Sequence, residues 1–232
     1  MKKLLVAVIF IAALSGVLYF ALTQKPAMVA LPDTVPETTG TPPTVSETKT
    51  IKEETPSYRI DVDYRLSGIA VVDTHIEAEV QKAVAAFKND AANFDPLVES
   101  RPYTFSGEIA DFYIGGDIVS ERINLYQDTG GAHGLPIVLA LNYDAKTGET
   151  ITLDRALSFT GMSLQDVASK SLAQLKQEFG ESVFADGAAA KAENYSTFIV
   201  TPFNVTFIFQ AYQVVAYAAG MPEVKFERLS QE

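Results

Sequence analysis

An uncharged stretch of nineteen residues, Leu4 to Leu22, constrains this chain more than any other feature of its sequence. As a helix it would span about 28 Å, close to the roughly 30 Å hydrocarbon core of a bilayer. Lys2 and Lys3 precede the stretch, and positive charge keeps that end of a membrane helix in the cytoplasm. The sequence therefore predicts a single-pass protein of the cell membrane, whose C-terminal domain lies outside the cytoplasm, periplasmic or extracellular.

A cleaved export signal is the alternative interpretation of the same stretch. Secretory signals usually have a shorter apolar region, of about 7–15 residues, and a small-x-small cleavage site. The best candidate is cleavage after Thr23, with Ala21 behind it. Residues 1–24 are thus predicted to be a membrane anchor or a signal segment, and both interpretations export the rest of the chain.

Residues 25–57 have the composition of a linker. They hold six of the eleven prolines in the chain, eight threonines and no aromatic residue. A segment with so little apolar area cannot offset the entropy lost on ordering, and proline favours extended conformations. The sequence predicts a disordered linker over residues 25–57 that displays one folded domain, residues 58–232.

Composition and charge limit the partners and cofactors of that domain. The formal net charge is -11, which would repel nucleic acid and favour cationic partners. Cysteine is absent, so disulfides and thiolate metal sites are excluded. Two histidines, His75 and His133, cannot supply the four ligands of a structural zinc site. We expect no cofactor, and a carboxylate calcium site at Asp111 and Asp117 is the remaining metal hypothesis.

Periodicity predicts the secondary structure of the folded part. Alternating apolar and charged residues from Tyr58 to Leu66 predict a half-buried strand. Helical spacing predicts amphipathic helices over 74–92, with a capping box at Thr74, and over 163–179, capped by Ser163 and ended by Gly180. Further strands are predicted near 103–114, 117–127, 135–143, 149–153, 195–201, 204–218 (with a break or bend) and 223–229, with a loop over 185–193. The predicted fold is α+β, a mostly antiparallel sheet with two main amphipathic helices.

A glycine-rich loop contains the candidate binding residues, which are Asp128, Gly130, Gly131, His133 and Gly134. Glycine allows sharp turns and close approach of the backbone to another group, and an exposed histidine there could recognise a ligand. The structural alternative is that the glycines shape a strand connection and that His133 bonds a backbone carbonyl. Both interpretations remain open from the sequence.

Catalytic residues are not apparent in the sequence. It contains no G-x-S-x-G motif and no cysteine nucleophile. Asp61 and Asp63 share one face of a predicted strand, as paired carboxylates of a glycosidase could, but Arg59 and Arg65 flank them as in a solvated charge ladder. We therefore predict a protein that is not an enzyme. An aromatic run could form a ligand groove, although core packing is favoured for its members, Phe203, Phe207, Phe209, Tyr212 and Tyr217.

Two segments resemble a known family. Residues 130–154, GGAHGLPIVLALNYDAKTGETITLD, and residues 195–226, which contain the pattern A-Y-x-x-G, are similar to the RsiV/PdaC-like family of bacterial extracytoplasmic domains. The resemblance covers about residues 58–229. It implies an α+β module, commonly tethered to a membrane. Family members include an anti-sigma factor that captures lysozyme and a peptidoglycan deacetylase whose chemistry belongs to a separate domain.

These observations predict a binding or sensing module of the cell envelope. The resemblance suggests a basic partner such as lysozyme, and the acidic surface would suit it. The main alternative is an accessory module that binds peptidoglycan fragments through tyrosine side chains. A weak carboxylate hydrolase and a purely structural envelope protein are two further hypotheses.

Overall fold

Two β-sheets form the framework of the computed structural model, which describes residues 46–95 and 101–229. The first sheet has the order β1–β2–β3–β4–β5, and only its β2–β3 pair is parallel. Its strands are β1 (Glu47–Glu54), β2 (Tyr58–Leu66), β3 (Tyr103–Ile114), β4 (Ile118–Asp128) and β5 (Leu135–Asp144). The second sheet is antiparallel and consists of β6 (Phe198–Val200), β7 (Asn204–Ile208) and β8 (Glu223–Glu227). The predicted α+β class is confirmed, but the strands form two sheets, and the first of them is mixed.

Three helices cover these sheets: α1 (Ala70–Ala91), α2 (Leu153–Thr160) and α3 (Leu164–Phe179). One face of α1 is buried against the first sheet, where Phe87 stacks on Phe105 of β3 at 5.0 Å between ring centroids. Helices α2 and α3 share a second core with the second sheet, in which Leu175 and Phe207 are 1% exposed. Each sheet therefore has its own apolar layer.

Helix α1 begins four residues earlier than the capping box at Thr74 predicts. Asp73 uses its carboxylate to accept from the backbone N–H and hydroxyl of Ser67 and from the N–H of Gly68. Thr74 is inside the helix, where its hydroxyl donates to the carbonyl of Ala70. The N-cap residue is Ile69, which makes no side-chain cap bond, and Asp73 stabilises the turn that precedes it.

The helix over 163–179 is confirmed, and its cap is the predicted one. Ser163 and Asp166 form a reciprocal capping box, and Gly180 follows the last turn. The strand predicted over 149–153 is wrong, since only Thr150 forms a bridge, to Tyr143. The short helix α2 starts there instead, capped by Thr152.

The predicted linker over residues 25–57 ends too late, because its last part forms β1. Glu47–Glu54 pairs antiparallel with β2 along its whole length. No side chain of β1 is fully buried, and Ile51 is the one apolar side chain of the strand that packs against the first core. The strand is held mainly by its backbone ladder and by polar contacts such as Lys52–Asp61. A strand without a buried face has no apolar alternation by which to recognise it.

The C-terminal part is less extended than predicted. Strand β7 ends at Ile208, and residues 209–218, predicted as strand, form turns that pass into a short 3-10 helix at Tyr217–Ala219. The predicted loop over 185–193 contains the 3-10 turn Ala185–Ala188 and leads into another, Ala192–Tyr195. These turns bring the end of the chain back beside β4 and β5.

Two side-chain amides close the free edges between the sheets. Asn142 of β5 accepts from the N–H of Val200 and donates to the carbonyl of Phe198, on either side of Ile199 in β6. Gln210 accepts from the N–H of Val138 in β5 and donates to its carbonyl. Each amide occupies the position that a neighbouring strand would otherwise fill.

No helix within residues 46–95 and 101–229 is long and apolar enough to cross a bilayer. The predicted membrane segment Leu4–Leu22, and the linker up to residue 45, lie outside the described residues.

Candidate functional site

The loop that follows β4 is stabilised by Asp128, the last residue of that strand. Asp128 is 7% exposed and accepts one bond from the N–H of Gly130 at 3.0 Å and another from Arg101 at 2.5 Å. Gly130 has a φ of 80°, a conformation that favours glycine. Asp128 and Gly130 therefore shape the turn, and Gly131 is exposed.

His133 projects from this loop into a group of tyrosines. Its Nδ1 lies 2.9 Å from the carbonyl oxygen of Gly134, and its Nε2 lies 3.0 Å from the hydroxyl of Tyr212. A carbonyl can only accept, so Nδ1 carries the proton and a neutral ring accepts at Nε2. His133 thus contacts a backbone carbonyl, that of its neighbour Gly134, and the same ring also contacts Tyr212.

Tyr217 completes the contact between the loop and the C-terminal turns. Its ring lies 4.1 Å from that of His133 and 5.4 Å from that of Tyr212, between centroids. Its hydroxyl donates to the carbonyl of Gly134 at 3.0 Å. The GGAH turn and the A-Y-x-x-G segment, far apart in the sequence, meet at this point.

Gly134 and Tyr126 contact each other beside this group of rings. The N–H of Gly134 donates to the Tyr126 hydroxyl at 3.1 Å. A β-carbon on Gly134 would lie 2.3 Å from Cζ of Tyr126, so only glycine permits this approach. We call Tyr126, His133, Tyr212 and Tyr217 the tyrosine–histidine cluster.

Tyr212 adopts a strained backbone conformation. Its φ of 68° is the only positive value at a non-glycine residue in the described ranges. Such a conformation costs of the order of 1–3 kcal/mol and persists where neighbouring contacts impose it. Here Gln213 holds the turn, because its amide accepts from the N–H of Gln210 and donates to the carbonyls of Gly187 and Asn194. Strain of this kind is concentrated at functional sites.

Three of the four side chains of the cluster are exposed to solvent. Tyr126 is 40% exposed and Tyr212 is 45% exposed, and His133 is also exposed. Desolvation raises the pKa of the Tyr217 hydroxyl, and Tyr126 and Tyr212 add to the shift, so Tyr217 stays neutral. A surface of this composition can stack on an apolar face and exchange hydrogen bonds at its rim.

Core packing is the wrong prediction for part of the aromatic run. Phe207 and Phe209 are buried, as predicted, but Phe203 is 76% exposed and Tyr212 and Tyr217 belong to the cluster. Sequence reasoning also misses Tyr126. The alternation of buried and exposed residues along β4, in which Tyr126 follows the buried Leu125, is the sequence pattern that could have indicated this exposed tyrosine.

The carboxylates considered as glycosidase or calcium-binding residues each have a partner outside the tyrosine–histidine cluster. Asp61 is paired with Lys52 at 2.7 Å, and Asp63 accepts from Thr50 at 2.6 Å, as in a solvated ladder. Of the proposed calcium ligands, Asp111 lies 3.6 Å from Arg122, and Asp117 is paired with Arg228. Within the described parts of the chain, no group of three or more His, Asp or Glu side chains could hold a metal ion.

The N-Y-D-x-K-T-G segment, residues 142–148, has a structural role. Burial alone would raise the pKa of Asp144, but bonds from Arg155 and from the N–H groups of Thr147 and Lys146 lower it to about 2. Asp144 thereby holds the turn that leads to α2. Asn142 links the two sheets, so this part of the family pattern supports the fold and not the cluster.

Known proteins share this fold and part of this sequence. Residues 159–228 match the model of a family described as a protein of unknown function, DUF3298. The chain is similar to the peptidoglycan-N-acetylmuramic acid deacetylase PdaC of Bacillus subtilis (strain 168), at 20% identity over 186 residues. That match covers 78% of this chain but 40% of the deacetylase, so the chain spans less than half of its relative's length.

Two solved structures agree with the fold. A DUF3298 family protein from Pseudomonas aeruginosa PAO1 is 16% identical, with a TM-score of 0.55 over 79% of this chain and 90% of that one. A DUF3298 family member from Bacteroides fragilis NCTC 9343 is 17% identical, with a TM-score of 0.51 over 78% and 90%. The resemblance to a PdaC-like domain family of unknown function is confirmed.

Proposed function

We propose that this chain is a cell-wall accessory module, displayed outside the cytoplasm, that binds peptidoglycan glycan at the tyrosine–histidine cluster. The observation that carries the proposal is the cluster itself, in which three segments of the chain hold exposed rings in one arrangement. The strained backbone of Tyr212 supports it, because the fold accepts a cost to keep that ring in place. Similarity to a peptidoglycan deacetylase supports the choice of ligand.

The chemistry of the cluster suits a sugar. A pyranose ring has an apolar C–H face and a rim of hydroxyls, and tyrosine offers a flat ring with a hydroxyl at its edge. The cluster contains no carboxylate and no ammonium group. Without its peptides, each N-acetylmuramic acid carries a lactyl carboxylate, which the acidic chain would repel. Binding to glycan whose lactyl carboxyl groups are capped as amides should therefore depend little on ionic strength.

A basic protein such as lysozyme is the competing ligand. The net charge of -11 supports it, because an acidic surface accelerates and strengthens association with a cation. Such binding would weaken as salt rises, since exposed charges are screened beyond about 10 Å at 0.1 M ionic strength. Salt dependence therefore separates the two proposals. In both, the chain binds its ligand without transforming it.

The proposal predicts the effect of removing one ring. With the full chain in a mild detergent, we expect Tyr212→Ala to weaken binding of peptide-free glycan, its lactyl carboxyl groups capped as amides, about fivefold or more, because stacking by one ring contributes about 1 kcal/mol. Phe203→Ala is the matched control. It removes an aromatic ring that is 76% exposed but lies outside the cluster, and binding should not change. Isothermal titration at low and physiological salt measures both affinities.

Two glycines test whether the arrangement of the cluster matters. Gly134→Ala would drive a methyl group into the Tyr126 ring, whereas the nearest atom to a β-carbon at Gly131 is the carbonyl oxygen of His133 at 3.6 Å. Glycan binding should weaken in the first variant and not in the second. Equal binding by Tyr212→Ala and the unmodified chain would overturn the proposal, and salt-sensitive binding of lysozyme in place of glycan would favour the competing one.

A further inference from the structure

A row of exposed side chains crosses the first sheet and leads to the tyrosine–histidine cluster. Lys52 of β1 lies opposite Asp61 of β2, which lies opposite Ser106 of β3, which lies opposite Tyr126 of β4. Directly opposed residues on neighbouring strands point to the same face of a sheet. All four side chains are exposed. We call Lys52, Asp61, Ser106 and Tyr126 the transverse row.

The face that carries the transverse row is open over its first three strands. Helix α1 covers the opposite face. The second sheet covers this face at β5, where Val138 is buried with Ile199 and Ile208. Between these limits is a shallow depression of about 230 Å³, and its lining includes Lys52, Glu54, Arg59, Asp61, Thr104 and Ser106. Ser106, in the lining of the depression, lies opposite Tyr126 of the cluster.

The far end of the row offers charges of both signs. Lys52 and Asp61 form an ion pair at 2.7 Å, with side chains that are 75% and 54% exposed. Arg59 and Glu54 form a second pair beside it at 2.9 Å. Exposed pairs of this kind contribute little to folding stability. Both could exchange their partner for a ligand group at little cost, and together they would receive one ammonium and one carboxylate.

The length of the row limits the ligand. Neighbouring strands lie about 4.8 Å apart, so the three intervals from Lys52 to Tyr126 span about 14 Å. An extended peptide covers about 3.3–3.6 Å per residue. About four residues would therefore reach from a sugar on Tyr126 to the charged end of the row.

We propose that the transverse row binds a stem peptide of about four residues, carrying a free ammonium and a free carboxylate, attached to the glycan held by the cluster. This inference rests on the proposed function and extends it from the glycan to the peptide-bearing form. The ring of Tyr126 receives the sugar that bears the stem, Ser106 exchanges hydrogen bonds with the peptide backbone, and Lys52 and Asp61 receive the terminal charges.

The test compares three ligands on the full chain in detergent. They are the disaccharide of N-acetylglucosamine and N-acetylmuramic acid with its lactyl carboxyl group capped as the methylamide, the same disaccharide with a two-residue stem, and the disaccharide with a four-residue stem. The four-residue stem has a free side-chain amine and a free C-terminal carboxylate. The four-residue ligand should bind about threefold or more tightly than the bare disaccharide, and this gain should shrink as salt rises. The double variant Lys52→Ser/Asp61→Ser should lose the gain and keep affinity for the disaccharide.

A second ion pair supplies the control. Lys82 and Glu79 lie 3.2 Å apart on α1, with both side chains exposed. The double variant Lys82→Ser/Glu79→Ser changes charge in the same way, and it should keep the full gain. Equal affinities for all three ligands would overturn the proposal that the transverse row binds the stem peptide, while the cluster would remain a glycan site. Failure of every ligand to bind would overturn the proposed function as well.

Discussion

Glu121 of β4 is a carboxylic acid in the apolar layer between the first sheet and α1. Its side chain is 0% exposed, as are those of Val119 and Ile123 on the same face of the strand. One carboxyl oxygen accepts from the N–H of Arg65 at 2.6 Å, and the other has no hydrogen-bond partner among the described residues. Desolvation raises the pKa of Glu121 to about 8, against the opposing effect of Arg65 and with a further contribution from Asp73. Glu121 is therefore protonated at neutral pH.

This burial predicts a pH dependence of stability. The folded pKa of about 8 is above the ordinary value of 4.5 that applies after unfolding. Stability contributed by this group is complete below pH 4.5 and is lost as pH rises to about 8, at up to about 1.4 kcal/mol per pH unit. We expect Glu121→Gln to flatten this decline, so that its free energy of unfolding relative to the unmodified chain improves from pH 5 to pH 8. Urea unfolding at a series of pH values measures it.

Glu108, an exposed residue of β3, provides the control for this prediction. Glu108→Gln also removes one carboxylate but should leave the pH dependence of stability as it is. If Glu121→Gln shows the same slope as the unmodified chain, Glu121 is ionised in the fold, and the assignment is wrong.

At the scale of elements, side-chain amides join the two sheets. Asn142 accepts from Ser120 as well as from Val200, and donates to Phe198, so all of its bonds lie inside the molecule. Asn142→Ala would leave two buried backbone groups without a partner, each costing about 1–3 kcal/mol. We expect the free energy of unfolding to fall by about 3 kcal/mol, measured by denaturant titration.

Ser120→Ala distinguishes the contribution of the Ser120–Asn142 hydrogen bond from that of the bonds between Asn142 and β6. It removes the hydroxyl that donates to Asn142 and leaves both bonds to β6 in place. The expected loss is about 1 kcal/mol, as for one ordinary hydrogen bond. Equal losses in the Asn142 and Ser120 variants would show that the link to β6 contributes nothing to stability.

Elements with an apolar period were predictable from the sequence, and elements held by polar contacts were not. Strand β2 and helix α1 each bury one face, so alternation and helical spacing indicate them. Strand β1 fully buries no side chain. Helix α2 has eight residues, about two turns, too few for a period to stand out from chance. Its boundaries come from Thr152 and Gly161, whose roles are visible only in the folded chain.

The candidate site was predictable only in part, for a related reason. His133 and its glycines stand together in the sequence, which is enough to indicate them. The tyrosines that complete the cluster come from β4 and from turns near the C-terminus, and the fold brings them together. A single sequence carries no record of such contacts between distant segments.

At the scale of the whole molecule, the first sheet has two unequal edges. The edge at β5 is closed by Gln210 and packed against the second sheet. No strand within residues 46–95 and 101–229 pairs with the outer edge of β1, which fully buries no side chain. We expect the hydrogen-bonded amides of β1 to exchange with solvent faster than those of β5, because opening β1 exposes little apolar area. Hydrogen exchange followed by mass spectrometry measures both edges in one sample, and equal protection would contradict this difference.

The same edge determines how the domain responds to force. Tension applied through the chain that precedes Glu47 pulls on the open end of the β1–β2 hairpin, where Glu47 lies opposite Leu66. In that direction the ladder bonds break one after another and not all at once, so each bond carries the load alone. Strand β1 should therefore detach at low force while β2 to β5 and α1 remain folded. The detached strand would add its length to the segment that carries the load and would free the edge of β2, so that the extension of the chain and the exposure of the sheet would both change with load.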